Sequence, residues 1–474
     1  MRAIAIRAAL CLLFAGSVYA QGLPDLGGSG DTVLSPHMER RLGERIVREM
    51  RRDPQFIDDP EISEYLAALG GRLSHVIPGA RGDFEFFALR EPSINAFALP
   101  GGFIGVHTGL LSAAETESQL ASVLAHEIAH VTQRHIARML GQQEQLQLPM
   151  MAALAAAILL GRSRPDLAVG AAAATQAGAI SAQLAYTRDF EREADRVGLQ
   201  ALADARFDAR AMASFFEKMQ RSQRVSDDGT LPGYLRTHPI NTERIADAQN
   251  RVAGLPYRQH LDSTEFHLVR AKLRAEMGDA RDAASHFERA VRDRRYANEV
   301  AARYGLVNAL LRARRAKDAE AEMARLRKAQ AGGPMIETLD ARVRQAIGDH
   351  AGARRILEEA RAHYPYSRPV LYALVAAMQE VSRHGEAAEV LGEAVRAHPA
   401  DARLRALQSK SYSALGKRLL QHQAQAEYYV LQGSVPAAIE QLQLARRAGD
   451  GDFYQLSAVD ARLKELRSQH AQEK

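Results

Sequence analysis

The six residues 125–130, Ala-His-Glu-Ile-Ala-His, constrain this chain more than any other stretch. On a helix, His126 and His130 lie one turn apart on the same face, so both imidazoles can reach one metal ion while Glu127 leans over the open position. This geometry is typical of zinc hydrolases. In a chain with 16 histidines, chance alone gives the five-residue pattern in roughly a few sequences per hundred, so a third ligand elsewhere is required.

Three downstream positions are candidates for that third ligand, but the one at which the metzincin pattern has its third His is Ile136. His135 lies nine residues after His126, and at about 100° per residue this spacing places it on the far side of a continuous helix. We therefore interpret His135 as a solvated or packed histidine. Glu191 is the better candidate, because it lies in a helical pattern over about 171–203 and Asp195 follows one turn later on the same face.

The segment around Glu191 has two interpretations. In the first, Glu191 binds the metal and Asp195 accepts a hydrogen bond from the outer ring nitrogen of a ligand histidine, which fixes the tautomer of that histidine. In the second, the two carboxylates form a charged helix surface with Arg192 and Arg196 as partners. The segment taken alone favours the second interpretation, so the assignment depends on the rest of the chain.

Length and composition indicate a globular protein. The chain has 474 residues, of which 46% are apolar, and this is enough for two to three domains. Its net charge is only +5, and Lys and Arg alternate with Asp and Glu along the helical patterns instead of forming basic blocks. Such interleaving predicts solvated charged faces and argues against a nucleic-acid-binding surface.

Residues 1–20 have the pattern of a cleavable secretory signal. Two arginines precede an apolar run over residues 8–18, which is short for a membrane span, and small residues stand before the expected cleavage point. Cys11 is the single cysteine, so the mature chain would have none, and its charge would fall from +5 to +3 with the loss of the two arginines. A cysteine-free chain suits an oxidising compartment and excludes a disulfide framework. We expect residues 21–35, rich in Gly, Asp and Ser, to form a linker.

A short β region precedes the metal motif. Periodicity predicts helices over residues 36–52 and 60–76, followed by strands over 83–89, 94–99 and 103–107. We expect these strands to form a small antiparallel sheet that leads into one helix over about 115–140. An edge strand that includes Asn95, Ala96 and Phe97 can pair main chain to main chain with an extended peptide.

Residues 150–160 form an apolar segment of eleven residues, well short of the ~20 needed to cross a bilayer. We interpret it as a helix buried against residues 171–185. The alternatives are a lid or plug over the active-site cleft, or a patch that touches a membrane or a client protein.

From about residue 262 the sequence is rich in Ala, Arg and Glu and predicts helices almost throughout. A loose turn motif recurs with separations of 36, 34 and 34 residues, at 278–284, 314–319, 348–353 and 382–388. This is the period of tetratricopeptide helix pairs, which stack into a solenoid with a concave surface for peptides or protein partners. A further turn at 433–438 lies 51 residues on, so we expect the last unit to be irregular. A structural spacer or dimerisation arm is the alternative.

Four motifs in this order resemble the HtpX-type and CAAX-protease-type family of zinc metallopeptidases. They are Asn95-Ala96-Phe97-x-Leu99-Pro100-Gly101-Gly102, His126-Glu127-x-x-His130, Glu191-x-x-Ala194-Asp195, and Thr237-His238-Pro239 with Arg244 behind it. The resemblance implies one zinc ion held by His126, His130 and Glu191, with Glu127 as general base. It also implies that His238 can occupy the fourth zinc position and hold the enzyme off, with Asp195 and Arg244 supporting the ligands.

The resemblance covers essentially the whole mature chain, including the repeats, and is strongest to a periplasmic branch of the family. It implies the outer-membrane barrel assembly machinery and the lipopolysaccharide transport barrel as partners, and unfolded or stalled outer-membrane proteins as clients. The interleaved charges predict no nucleic-acid partner, and the short apolar segment predicts at most peripheral membrane contact.

The sequence thus predicts a mainly α protein in two parts. A gluzincin-type metallopeptidase domain of helices plus a small antiparallel sheet spans residues 36–258, and an α-solenoid of tetratricopeptide repeats spans 259–474. The expected function is that of a periplasmic zinc endopeptidase with chaperone-like activity that degrades misassembled barrel proteins. The alternative, from a different class, is a non-proteolytic chaperone or adaptor that acts through its repeats.

Overall fold

The computed structural model describes residues 34–80, 84–142, 188–225, 233–330 and 332–472. The elements of its first part are α1 (Pro36–Met50), β1 (Phe56–Ile57), α2 (Pro60–Val76), β2 (Glu85–Leu89), β3 (Ala96–Leu99), β4 (Phe103–His107), α3 (Thr108–Ala113), α4 (Glu117–Thr132), α5 (His135–Gln142), α6 (Arg188–Asp204), α7 (Arg210–Val225), α8 (Gly233–Thr237) and α9 (Thr242–Ala253). Side-chain caps fix where several helices begin. Asp59 accepts from the backbone of α2 and Thr116 from the backbone of α4. The predicted α2 range is confirmed.

The sheet is mixed, so the expectation of a purely antiparallel sheet is wrong. In the described ranges its strand order is β1-β2-β4-β3, with β2 and β4 parallel and the other two pairs antiparallel. The turn at residues 100–102 makes a hairpin of β3 and β4, but the chain between β2 and β3 crosses over instead of turning back. As a result β4 lies beside β2 in the same direction, and β3 becomes one of the two edge strands of the described sheet. Strand β1 has only two residues, too few to produce a periodic signal.

The predicted helix over residues 115–140 is two helices. Helix α4 ends at Thr132, and Arg134 takes a φ of 53°, in the left-handed region, before α5 begins at His135. A non-glycine residue there is unfavourable by about 1 kcal/mol or more. This break turns the chain back towards the metal motif.

The apolar core runs without interruption from the sheet side into the repeat region. One cluster of buried side chains begins at Ile57, passes through α2, α4, α6 and α7, and ends at Val343. Helix α4 lies at its centre, since every residue from Glu117 to His130 is buried. A helix that is buried all round forms a fixed platform for the polar groups it carries.

Twelve helices follow in the described part of the repeat region. They are α10 (Thr264–Glu276), α11 (Ala280–Arg292), α12 (Glu299–Arg312), α13 (Ala316–Ala329), α14 (Pro334–Ala346), α15 (His350–His363), α16 (Arg368–Glu380), α17 (His384–Ala397), α18 (Ala402–Ala414), α19 (Arg418–Leu431), α20 (Val435–Arg446) and α21 (Phe453–Gln472). The second helices of successive pairs begin at 280, 316, 350, 384, 418 and 453, so the spacing stays between 34 and 36 residues. The predicted irregularity after residue 388 is therefore wrong. The turn before α19 is built on Gly416, with a φ of 69°, but its sequence does not match the earlier motifs.

A buried polar cluster joins α2 to the repeat helices. The ammonium of Lys272 on α10 lies 2.6 Å from the Glu61 carboxylate and 2.5 Å from that of Asp59. The hydroxyl of Tyr304 on α12 donates to Glu61 at 3.2 Å, and that of Thr338 on α14 donates to its other oxygen. We call this set the Glu61 cluster.

A second buried carboxylate joins α4 to the first repeat helix. Glu117, the first residue of α4, accepts hydrogen bonds from the hydroxyl of Ser263 at 2.6 Å and from its backbone N–H at 3.1 Å. Ser263 is also the N-cap of α10. The hydroxyl of Tyr65 and the Nε2 of His260 contact the same carboxylate, each at 3.1 Å.

Several predictions fall outside the described residues. These are the signal segment 1–20, the linker up to residue 33, the apolar segment 150–160 and the helical pattern over 171–187. Within the ranges that are described, no helix combines the length and the apolar character that a membrane crossing requires.

Candidate metal centre

The two histidines of the motif point from one face of α4, as the spacing predicts. The Nε2 atoms of His126 and His130 lie 2.9 Å apart, and both side chains are almost completely buried. Such close approach of two ring nitrogens is unfavourable unless both lone pairs face a common cation or a proton lies between them.

Helix α6 brings two carboxylates against the same face of α4. Gly198 makes this possible, because a Cβ atom there would stand 3.1 Å from the backbone of Ala125 and His126. With the helices this close, the Glu191 carboxylate lies 3.4 Å from the Nε2 of His126 and 3.4 Å from that of His130. The structure therefore brings together the three residues that the sequence placed at the metal.

His238 completes the group from the segment that follows α8. Its Nδ1 lies 3.0 Å from the Glu191 carboxylate and 3.2 Å from the Nε2 of His126. One ligand atom from each of His126, His130, Glu191 and His238 lies within 4.8 Å of all the others, and all four residues are buried. In a tetrahedron with zinc bonds of about 2.0–2.1 Å, ligand atoms stand about 3.3 Å apart. The donor set and its spacing therefore fit a four-coordinate zinc ion.

Glu127 lies next to the four converging residues, and its carboxylate is poorly hydrogen-bonded. Its side chain is completely buried, and neither carboxylate oxygen has a well-formed hydrogen bond within the described residues. The Nε2 of His238 lies 3.3 Å from one of these oxygens. Burial raises the pKa of Glu127, although the main chain of Ala98 on β3 and the nearby histidines oppose this shift. A carboxyl with a raised pKa suits a group that must take and return a proton.

Asp195 and Arg244 support the ligands from behind. The Asp195 carboxylate lies 2.9 Å from the Nδ1 of His126, so it can hold that ring with its Nε2 lone pair towards the metal position. Arg244 donates to Asp195 from two nitrogens, at 2.7 and 2.8 Å, and a third nitrogen lies 2.8 Å from Glu191. Burial alone would raise the pKa of Asp195, but Arg244 and His126 lower it below its usual value. The alternative of a charged helix surface is wrong for Glu191 and Asp195, because both are buried.

His135 lies in this polar group, contrary to the expectation that the helix would turn it away. It is fully buried, with its Nδ1 2.8 Å from the Nδ1 of His130 and its Nε2 3.1 Å from Glu193. Burial lowers the pKa of His135 to about 4. The angular argument failed because it assumed an unbroken helix, whereas the chain breaks at Arg134. His135 is packed, as expected, and it is not one of the four converging residues.

The edge strand and the His238 segment lie together beside Glu127. Ala96 and Phe97 lie on β3, and Asn95 precedes it with its side-chain oxygen unbonded within the described residues. Tyr234 of α8 donates its backbone N–H to Ile94 at 2.9 Å.

Tyr234 is a site residue that the sequence analysis did not identify. Its ring is completely buried and stacks on His238, with the centroids 4.8 Å apart. An aromatic residue in a short loop helix has no periodic pattern that would single it out. Its stacking fixes the orientation of the His238 ring.

Comparison with known proteins agrees with this geometry. A family model described as peptidase family M48 matches residues 63–252, and a tetratricopeptide repeat model matches residues 346–411. The "Beta-barrel assembly-enhancing protease" of Escherichia coli (strain K12) is 32% identical over 94% of this chain and 92% of its own length. The "Putative beta-barrel assembly-enhancing protease" of Vibrio cholerae is 40% identical, over 53% of this chain and 51% of its own.

Among solved structures, a tetratricopeptide repeat protein from Parabacteroides merdae matches 53% of this chain and 98% of its own, with 10% identity and a TM-score of 0.30. The fold and the site define a metalloendopeptidase joined to tetratricopeptide repeats. The chain belongs to peptidase family M48.

Proposed function

We propose that this protein is a zinc endopeptidase of the bacterial periplasm that acts on outer-membrane barrel proteins. The observation that carries the proposal is the convergence of ligand atoms from His126, His130, Glu191 and His238 within 4.8 Å, beside the buried Glu127. In this proposal the first three hold the ion, and Asp195 and Arg244 fix the orientation of His126 and Glu191.

Peptide hydrolysis needs a base beside the attacking water. His126, His130 and Glu191 would hold a zinc ion that, when bound, would supply a Lewis acid to lower the pKa of water towards about 7 and to polarise the scissile carbonyl. Glu127 takes the proton from the attacking water and returns it to the leaving amine. Its burial favours this role, because a raised pKa makes the Glu127 carboxylate a stronger base towards the attacking water.

His238 acts as the switch in this proposal. Its ring lies between Glu127 and the other ligands, with Nε2 3.3 Å from Glu127 and Nδ1 3.0 Å from Glu191. The attacking water needs that same space. While His238 is in place, Glu127 faces an imidazole instead of a water molecule, so the enzyme is at rest.

The substrate would bind along β3. This strand forms one edge of the described sheet, and its Ala98 main chain lies close enough to Glu127 to influence the pKa of Glu127. An extended peptide added at Asn95, Ala96 and Phe97 would carry its scissile carbonyl past the metal. The hydrogen bond from the Tyr234 N–H to the Ile94 carbonyl holds the His238 segment at the start of β3. Release of this segment would therefore free the position that His238 takes at the metal and the strand edge that binds the peptide.

Location and clients follow from the names of the relatives and from the signal pattern. The relatives are named for assembly of β-barrels, and the segment 1–20 has the composition of a secretory signal. We propose the barrel assembly machinery and the lipopolysaccharide transport barrel as partners of the repeats, and stalled outer-membrane proteins as clients.

A second function, from a different class, is that of a chaperone or adaptor whose proteolysis is held back. The position of His238 favours it, because a blocked site is compatible with binding but not with cleavage. The two functions can coexist in one protein.

One variant distinguishes the endopeptidase function from the adaptor function. Glu127→Gln removes the base but keeps the size and the metal ligands, so cleavage of a stalled barrel client should fall by about 10²–10⁴-fold. Zinc content, measured by elemental analysis, should stay at one ion per chain. If barrel assembly in cells also fails, the adaptor function is excluded. If the wild-type protein holds no zinc, the proposed enzyme is wrong. Glu49→Gln, at an exposed ion pair, is the matched control.

A further inference from the structure

A chain of polar contacts leads away from the metal centre through His130. The Nδ1 of His130 lies 2.8 Å from the Nδ1 of His135, and the Nε2 of His135 lies 3.1 Å from the Glu193 carboxylate. Arg138 donates to the same oxygen of Glu193 at 2.8 Å. The ring of His135 is fully buried and stacks on Phe190, with the centroids 4.6 Å apart and the planes 15° from parallel.

The chemistry of these groups fixes where each proton lies. Glu193 is an ion-paired carboxylate and can only accept, so the Nε2 of His135 must donate to it. A neutral imidazole with a proton on Nε2 has a lone pair on Nδ1. The Nδ1 of His130, which faces that lone pair, must therefore donate. The remaining nitrogen of His130, its Nε2, then carries a lone pair directed at His126 and Glu191.

We propose that His135 is a positioning residue for the metal centre, which holds His130 in the tautomer and orientation that bind the ion through Nε2. The inference rests on the proposed function, in which the ion is zinc. It assigns Glu193 and Arg138 to the same task, because they set the tautomer of His135.

The two motif histidines are then supported by different chemistry. His126 has the carboxylate of Asp195 behind it, at 2.9 Å, whereas His130 has a second imidazole. A neutral acceptor fixes the tautomer without adding another negative charge next to Glu127 and Glu191. The negative charge stands one ring further away, on Glu193.

The test is to remove the acceptor but keep the ring. His135→Phe retains the stack on Phe190 and loses both nitrogens. Loss of such a supporting partner typically weakens metal binding by about 10–100-fold. We expect a rise of that size in the zinc dissociation constant of the full-length protein, measured by competition with a chromophoric chelator. The thermal unfolding of the metal-free variant should match that of the wild type.

A closely matched control exists elsewhere in the chain. His260 also packs against a phenylalanine, Phe207, with the centroids 4.5 Å apart and the planes tilted by 51°, and it also contacts a buried carboxylate, that of Glu117, at 3.1 Å. His260→Phe should leave the zinc dissociation constant unchanged. His135→Asn keeps an acceptor close to the position of the lost Nδ1 and should recover most of the affinity lost in His135→Phe.

A measurement on the unmutated protein tests the tautomer directly. In metal-free protein labelled with ¹⁵N-histidine, His130 should carry its proton on Nδ1, with its signals identified by their loss in His130→Gln. A proton on Nε2 overturns the inference, and so does a wild-type zinc affinity in His135→Phe. If the wild-type chain fails to bind zinc while the Nδ1–H tautomer is present, the proposed function is wrong and the positioning role of His135 stands.

Discussion

The metal centre and the Glu61 cluster are both buried polar groups, but their charges are arranged in opposite ways. In the Glu61 cluster, one ammonium lies between two carboxylates, and two hydroxyls donate to the oxygens of Glu61. At the metal centre, imidazoles and carboxylates point at one another, and both oxygens of Glu127 lack well-formed bonds in the described chain. The first arrangement is complete by itself and joins two parts of the fold. The second is complete only with a cation.

The comparison predicts that the Glu61 cluster contributes to stability and not to catalysis. Glu61→Gln leaves the buried Lys272 with only one carboxylate partner, Asp59. We expect the free energy of unfolding, from denaturant titration, to fall by about 3 kcal/mol. Zinc content should be unchanged. Glu49→Gln, which removes an exposed ion pair with Arg52, should change stability by less than about 0.5 kcal/mol. An equally small effect of Glu61→Gln would mean that this cluster does not stabilise the joint.

The metal centre, in contrast, should stabilise the folded chain only while its ion is bound. At zinc concentrations about 100 times the dissociation constant, binding should stabilise the folded chain by about 2.7 kcal/mol. This increment, from unfolding with zinc and with chelator, should appear equally in the wild type and in Glu61→Gln, because the two clusters are separate. It should disappear in His126→Ala. A zinc-dependent stabilisation that differs between the wild type and Glu61→Gln would mean that the two clusters interact.

His238 tests whether the centre is blocked at rest. If about one molecule in ten has His238 displaced, His238→Ala should raise casein cleavage or self-cleavage about tenfold. His238→Ala combined with Glu127→Gln should be inactive, which excludes a contaminating protease. His398→Ala, at an exposed histidine in the repeats, is the control. An unchanged rate in His238→Ala would end the switch hypothesis, whatever the zinc content.

Glu39 on α1 provides a smaller test at a third buried carboxyl. Burial raises the pKa of Glu39 to about 7, and Arg134 lies 3.5 Å away. Below its unfolded-state pKa of about 4.5, such a carboxyl is protonated in both states and does not lower the free energy of unfolding. As the pH rises towards 7, ionisation is easier in the unfolded chain, so the free energy of unfolding falls.

Glu39→Gln should therefore match the wild type near pH 4.5 and be more stable at pH 8, by about 1–2 kcal/mol after partial compensation by Arg134. Denaturant titrations at the two pH values measure this difference. Lower stability of the variant at pH 8 would mean that the ion pair with Arg134 outweighs the cost of burial.

The sequence predicted the parts of the site that depend on local spacing. His126 and His130 converge because a one-turn spacing on a helix survives any tertiary context. Glu191 and Asp195 followed from the same rule, together with the order of motifs in a known family. The length of α2 was predicted because its cap and its apolar face lie in one continuous segment.

The sequence could not predict features that depend on interruptions or on distant segments. Nothing near Arg134 marks a left-handed residue, so the predicted helix ran on and His135 was placed on the wrong side. The parallel pairing of β2 and β4 is set by a crossover and not by the strand patterns. The regular spacing at α19 was missed because helix pairs tolerate turns of quite different composition, provided that a residue such as Gly416 can adopt positive φ.

Glu117 has a mechanical consequence for the whole protein. It is the first residue of α4, the helix that carries His126 and His130, and its carboxylate accepts hydrogen bonds from Ser263, the N-cap of α10. The first repeat helix is therefore fixed to α4 and does not rotate freely at this junction. A load applied to the repeat helices would be transmitted to α4 through Glu117 and to α2 through the Glu61 cluster, so the position of the repeats and the alignment of His126 and His130 are mechanically coupled.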